Sequence, residues 1–146
     1  MILKLTQREI LEVLAGVPLF AELTRKDLRA LSRTCSAARF QAGDEILRQN
    51  EVAQHMVVLV DGTASVRRDG KVLATLGPGD AAGEMALIDR RPRSASVVAD
   101  GPVDVVLVYA REFERLVAEQ PSICARLLRA QTSRLRALDR RATLLD

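Results

Sequence analysis

The sequence predicts an α+β protein, mainly β: an antiparallel β-roll of jelly-roll type, with N-terminal helices before it and two C-terminal helices after it. Three observations predict this. Apolar residues recur with helical spacing behind capping residues over 1–35. From about residue 37 the chain breaks into short β-branched runs separated by glycine turns. After Tyr109 the helical period returns. With 146 residues the chain is long enough for one compact domain with a real core. A single domain is therefore expected over 1–146, with helices over 1–35, the roll over 36–109 and helices over 110–146.

Each element has a local reason. Thr6 and Glu9 have capping-box spacing ahead of Ile10, Leu11 and Leu14, and Gly16 offers a stop. Val17-Pro18-Leu19-Phe20 reads as an apolar connector, and Thr24 as the cap of a second helix with Leu28 and Leu31 on its inner face. Ala42-Gly43-Asp44 is a turn, Glu45–Gln49 a strand, and Val57–Val60 a strongly apolar strand. Asp69-Gly70 joins Ala64–Arg67 to Lys71–Leu73 as a hairpin. Gly77-Pro78-Gly79-Asp80 is another turn, and Ser94–Ala99 and Val103–Tyr109 are two further strands. Short strands at regular spacing indicate an antiparallel roll or barrel. Phe113, Leu116 and Val117 share a helical face, and Pro121 suits the first turn of a last helix running toward Arg141.

Composition excludes several classes. Charged residues make up 28% and the net charge is +3, only mildly basic. With no tryptophan, one tyrosine and three phenylalanines, stacking platforms for single-stranded nucleic acid are not expected. Cys35 and Cys124 lie far apart without metal-ligand neighbours, and both are expected as buried apolar residues in a reducing compartment. No signal peptide and no apolar run of membrane-spanning length is present, so a cytoplasmic location is expected. No nucleophile has a paired base and no metal set is spaced for ligation, so no enzyme activity is expected; His55 reads as a turn or strand-start residue.

The informative segment is Gly83–Ala99, GEMALIDRRPRSASVVA. Gly83 lets backbone approach a ligand closely. Glu84-Met85-Ala86-Leu87-Ile88 suits a single helical turn that directs free N–H groups at an anion. Arg93 supplies a planar fork for two phosphate oxygens, and Ser94 and Ala95 add neutral donors. Ionised Glu84 only accepts, so it needs a hydroxyl or amine, for which a ribose 2′-OH is the natural donor. One cation facing one carboxylate suits a singly charged phosphate diester. The alternative is an isolated surface pair of Glu84 with Arg93, which would be worth little.

Gly77–Ala99 (GPGDAAGEMALIDRRPRSASVVA) resembles the phosphate-binding cassette of the cyclic nucleotide-binding domain, as in bacterial cAMP receptor proteins, kinase regulatory subunits and cyclic nucleotide-gated channels. The cassette spans 79–95, and the resemblance extends over nearly the whole chain. It implies that Arg93 binds the cyclic phosphate and Glu84 the 2′-OH, and that Gly83, Met85, Ala86, Ser94 and Ala95 line the pocket. It also implies a lid over the purine from the last helix, with contacts near Leu135, Leu138 and Asp139 rather than Thr132 and Ser133, which read as solvated. Arg-Ser-Ala leans toward cAMP, although Ser94 would also suit cGMP. No cofactor is implied beyond the nucleotide. Two departures stand out: Ala81-Ala82 where the family often has aromatics, and Asn50-Glu51 in place of an early Gly-Glu, with Asn also tolerating a left-handed turn.

The last helix carries six arginines between Arg126 and Arg141, read as a solvated face rather than a nucleic-acid surface. Leu128, Leu135 and Ala142, with Cys124, Gln131, Leu138 and Leu145, form a heptad stripe. That stripe fits either a homodimer seam or burial on the chain's own roll. The chain ends soon after this helix, with no helix-turn-helix downstream. The expectation is a regulatory domain that signals through movement of its C-terminal helix to a separate effector protein, or one excised from a longer protein; the start at Met1 leans toward the first. The competing reading is a ligand-free interaction module that uses the arginine- and leucine-rich helix.

Overall fold

A computed structural model describes residues 4–145 of the chain, and side chains as far as Asp139. Helix α1 (Gln7–Ala15) opens on the expected capping box: the Glu9 N–H donates to Thr6 Oγ1 at 3.1 Å, and the Thr6 N–H to Glu9 Oε1 at 3.2 Å. Val17–Phe20 is more than a connector. Pro18–Phe20 forms a 3-10 turn that buries Leu19 and Phe20. Helix α2 (Arg25–Ser32) begins with a second capping box, Thr24 with Asp27. Asp27 is buried, because the Arg126 Nη1 donates to its Oδ2 at 2.7 Å across 99 residues of sequence.

Eight strands follow: β1 (Ser36–Phe40), β2 (Glu45–Leu47), β3 (His55–Asp61), β4 (Ala64–Arg68), β5 (Lys71–Leu76), β6 (Ala81–Ala82), β7 (Ser96–Ala99) and β8 (Val103–Tyr109). They form two antiparallel four-stranded sheets, ordered β1-β8-β3-β6 and β2-β7-β4-β5. Ile46, Leu47, Val57, Leu59, Ala64, Val97, Val103 and Val105 fill the space between the sheets. The alternate residues of β3 and β8 (Met56, Val58, Val106 and Val108) pack outward against Leu14, Phe20, Leu31 and Phe113 of the helical layer. Those two strands are buried on both faces, which is why they read as continuous apolar runs rather than alternating ones.

Turn residues behave as their chemistry requires. Asp69 and Gly70 both have positive φ, 52° and 80°, as the two-residue hairpin between β4 and β5 demands. Asn50 has φ 72°, so it does adopt the left-handed conformation that its amide side chain tolerates. Ala81 and Ala82 form the short β6, pairing with Val58 and Val57, one packed toward each core.

Helix α3 (Ala110–Glu119) buries Phe113 and Leu116, and α4 starts at Pro121 and runs Pro121–Leu145. Three expectations change. Neither β1 nor β6 is visible in the sequence pattern, because β1 buries only Ala37 and β6 has two residues. The strand expected over Ser94–Ala99 begins at Ser96. Cys124 is exposed on α4 and Cys35 is only partly buried, with its thiol pushed up to about 12 by desolvation. Among the described residues no helix is long and apolar enough to cross a membrane.

Candidate ligand-binding site

The two sheets leave a cavity of about 370 Å³ at one end of the roll, lined by both ends of the Gly83–Ala95 segment. Gly83 has φ 78° and caps a 3-10 turn, Glu84–Leu87, the single helical turn expected from the sequence. Ala86 and Leu87 anchor that turn in the core while Met85 stays exposed, a cavity wall and not core filler.

Arg93 reaches back across the turn. Its Nη2 donates to the His55 carbonyl oxygen at 2.6 Å. A Cβ built on Gly83 would stand 2.6 Å from Arg93 Nη1, 3.1 Å from Leu47 Cδ1 and 3.3 Å from the His55 oxygen. Glycine is therefore required twice at this position, by its left-handed backbone and by the guanidinium seated on it. Burial lowers the Arg93 pKa, an effect partly offset by attraction to Glu51. Among the described residues neither Arg93 nor Glu84 forms an ion pair, so the isolated surface pair is not what this fold builds. A half-buried cation with a carboxylate nearby but none in ion-pair contact is an incomplete electrostatic arrangement, suited to an anion arriving from solution.

Non-local contacts hold the Arg93 backbone. The Arg93 N–H donates to the Glu51 oxygen at 2.8 Å, and the Asn50 N–H donates to the Arg93 oxygen at 2.9 Å. Arg68 Nε donates to the Ser94 oxygen at 3.0 Å, which ties the next residue to β4. The left-handed Asn50 creates the turn that brings residues 50 and 51 against 93, so the departure from Gly-Glu leaves the support intact. Residues 93 and 94 are thus held by the turn at 50–51 and by the Arg68 side chain, and the β7 ladder begins at Ser96, opposite Arg67.

The structure brings Gly83, Glu84, Met85, Ala86, Arg93, Ser94 and Ala95 together around one cavity. Sequence reading missed Leu47, Ala53, Val66 and Val97, which supply its apolar wall; their apolar character marked them only as core. It does not bring in the expected lid. Among the described residues none of α4 lines the cavity; Leu135 and Leu138 are 65% and 59% exposed, and Asp139 is also exposed. The Asp27–Arg126 pair and contacts with Pro18–Phe20 and α3 hold α4 on the helical layer instead. Thr132 and Ser133 are solvated as expected. Ala142 and Leu145 of the heptad stripe, with Arg140 and Arg141, have side chains outside the described residues. His55 begins β3, and among the described residues no cluster could hold a metal ion.

Residues 37–120 match the family model of the cyclic nucleotide-binding domain. The chain belongs to that family. A cyclic nucleotide-gated potassium channel of Mesorhizobium japonicum is 36% identical over 130 residues, covering 89% of this chain and 34% of the channel. The type II regulatory subunit of the cAMP-dependent protein kinase of Drosophila melanogaster is 33% identical over 111 residues, covering 73% of this chain and 29% of that protein. Among solved structures, the N-terminal domain of a transcriptional regulator from Streptomyces coelicolor A3(2) aligns with a TM-score of 0.78 at 28% identity, over 86% of this chain and 94% of that one. The chain spans about a third or less of the length of the curated relatives it matches.

Proposed function

We propose that this domain is a non-enzymatic sensor that takes a cyclic nucleotide, cAMP in preference to cGMP, into the cavity behind Gly83. Arg93 bonds the cyclic phosphate, exchanging the His55 carbonyl for an anionic oxygen. Glu84 accepts from the ribose 2′-OH, and Ser94 and Ala95 offer further donors, with Gly83, Met85 and Ala86 completing the wall. The observation that carries this reading is the half-buried Arg93 guanidinium, which forms no ion pair among the described residues, in a cavity lined by both ends of the cassette. The names of the kinase regulatory subunits among its relatives support cAMP.

The signal travels through α4. A purine at the cavity mouth offers new contacts to Leu135, Leu138 and Asp139 if α4 swings about the non-helical Gln120 that separates it from α3. The nucleotide then favours the swung position by the difference in its affinity for the two, and an effector protein reads that position.

Calorimetric titration of nucleotide-stripped protein with cAMP and cGMP tests this. A charge-assisted hydrogen bond contributes about 1.5–3 kcal/mol, so Arg93→Ala should weaken cAMP binding roughly 10- to 100-fold. Absence of heat and of thermal shift with either nucleotide into the millimolar range would overturn the reading. The exposed Leu128, Leu135 and Leu138 would then favour an interaction module built on α4, as a homodimer seam or a protein contact.

A further inference from the structure

The N-terminal helices carry a second feature that the nucleotide cavity does not use. Arg8, Arg25, Arg29 and Arg33 converge on a cleft of about 460 Å³ between α1 and α2, floored by Leu11 and edged by Gln7. Arg25, Arg29 and Arg33 repeat every fourth residue, so they form one stripe with a rise of about 6 Å per step. Among the described residues Arg8, Arg29 and Arg33 form no ion pair, and no carboxylate lines the cleft.

Fold stability accounts for only part of this arrangement. Arg29 and Arg33 lie near the C-terminus of α2, where the helix dipole favours a cation. Arg8 lies in the first turn of α1, where the same dipole opposes one. The three arginines without an ion pair around this cleft, Arg8, Arg29 and Arg33, also repel each other. A partner that neutralises them removes both penalties.

We infer that this cleft docks an acidic peptide segment of a partner protein, with carboxylates about 6 Å apart, as an acidic helix presents them at every fourth position. The fit to a carboxylate is already visible at one end, where Glu12 Oε1 accepts from Arg25 Nη1 at 2.9 Å. The cleft has no aromatic on which a base would stack, and its apolar floor suits a peptide side chain. The inference stands independently of the nucleotide reading.

The test is fluorescence anisotropy with a labelled, helix-forming peptide carrying Glu at three successive fourth positions, against its Gln counterpart. The Glu peptide should bind, weaken as salt is raised, and lose about ten-fold or more to a combined Arg8→Glu/Arg29→Glu/Arg33→Glu variant. Two further variants guard against misreading. Lys26→Glu makes the same charge change on α2 outside the cleft and should alter binding less than about two-fold. Arg8→Glu alone improves the dipole of α1, so it should stabilise the fold while weakening the peptide. Failure of the Glu peptide to bind, or equal losses with Lys26→Glu and Arg29→Glu, would overturn the inference. So would tighter binding of tripolyphosphate or duplex DNA than of the peptide.

Discussion

Replacing Gly83 by alanine separates two costs that the structure superimposes at one atom. The first is conformational: an L-residue at φ 78° pays about 1–2 kcal/mol relative to glycine. Gly79, at φ 90° with nothing within 4 Å of its missing Cβ, pays that cost alone. The second is steric and belongs to Gly83. Its new methyl would stand 2.6 Å from Arg93 Nη1, so the guanidinium at the end of its flexible side chain must shift, which works against the bond that Nη2 makes to the His55 oxygen at 2.6 Å. A hydrogen bond from a charged donor contributes about 1.5–3 kcal/mol, and the lower end applies because Arg93 is only half-buried and water replaces the lost acceptor. With that bond lost, Gly83→Ala should therefore cost about 2.5–3.5 kcal/mol and Gly79→Ala about 1–2 kcal/mol. At about 3–5 °C of Tm per kcal/mol, a difference of several degrees separates them. Urea unfolding measures both costs, and calorimetric titration with cAMP should show about ten-fold or greater loss for Gly83→Ala only. Equal destabilisation by the two substitutions, or unchanged cAMP affinity in Gly83→Ala, would refute the argument that Gly83 exists to seat Arg93.

Other perturbations follow from the same contacts. Arg126→Met leaves the Asp27 carboxylate buried beside Thr24 without its cation, and should cost roughly 2–3 kcal/mol, tempered by the partial exposure of Arg126; unfolding that matches the parent would show the pair to be dispensable. Burial, reinforced by Arg93, lowers the His55 pKa below its usual 6.5, so the unfolded chain takes up that proton first as pH falls. Its contribution to stability is full above about pH 6.5 and is lost below it, and His55→Gln should flatten that slope in pH-dependent denaturation. In a thiol titration near pH 8, Cys124 should react promptly, and Cys35, raised to about 12 and donating to the Leu31 oxygen at 3.3 Å, only on unfolding; two fast thiols would contradict its burial.

What the sequence determined by itself was everything set by neighbours within a few residues. The Thr6–Glu9 capping box, the Asp69-Gly70 hairpin, the start of α4 at Pro121 and the turn after Gly83 are all closed by contacts of short range. Much of the candidate site was legible for the same reason, since one segment of 13 residues, 83–95, carries all seven expected lining residues. Tertiary structure decided what depends on partners distant in the chain. The frayed pattern of β1 becomes a strand only through its pairing with β8. Gly83 is pinned by Arg93, Leu47 and His55, and the Arg93 backbone by Asn50 and Glu51. The position of α4 turns on an ion pair between Asp27 and Arg126, which also helps to leave Leu135 and Leu138 on the surface instead of over the cavity. Periodicity reports which face of a helix is apolar, but only the packed elements decide which neighbour meets that face, because burial is shared among surfaces that the chain brings together after its local structure has formed.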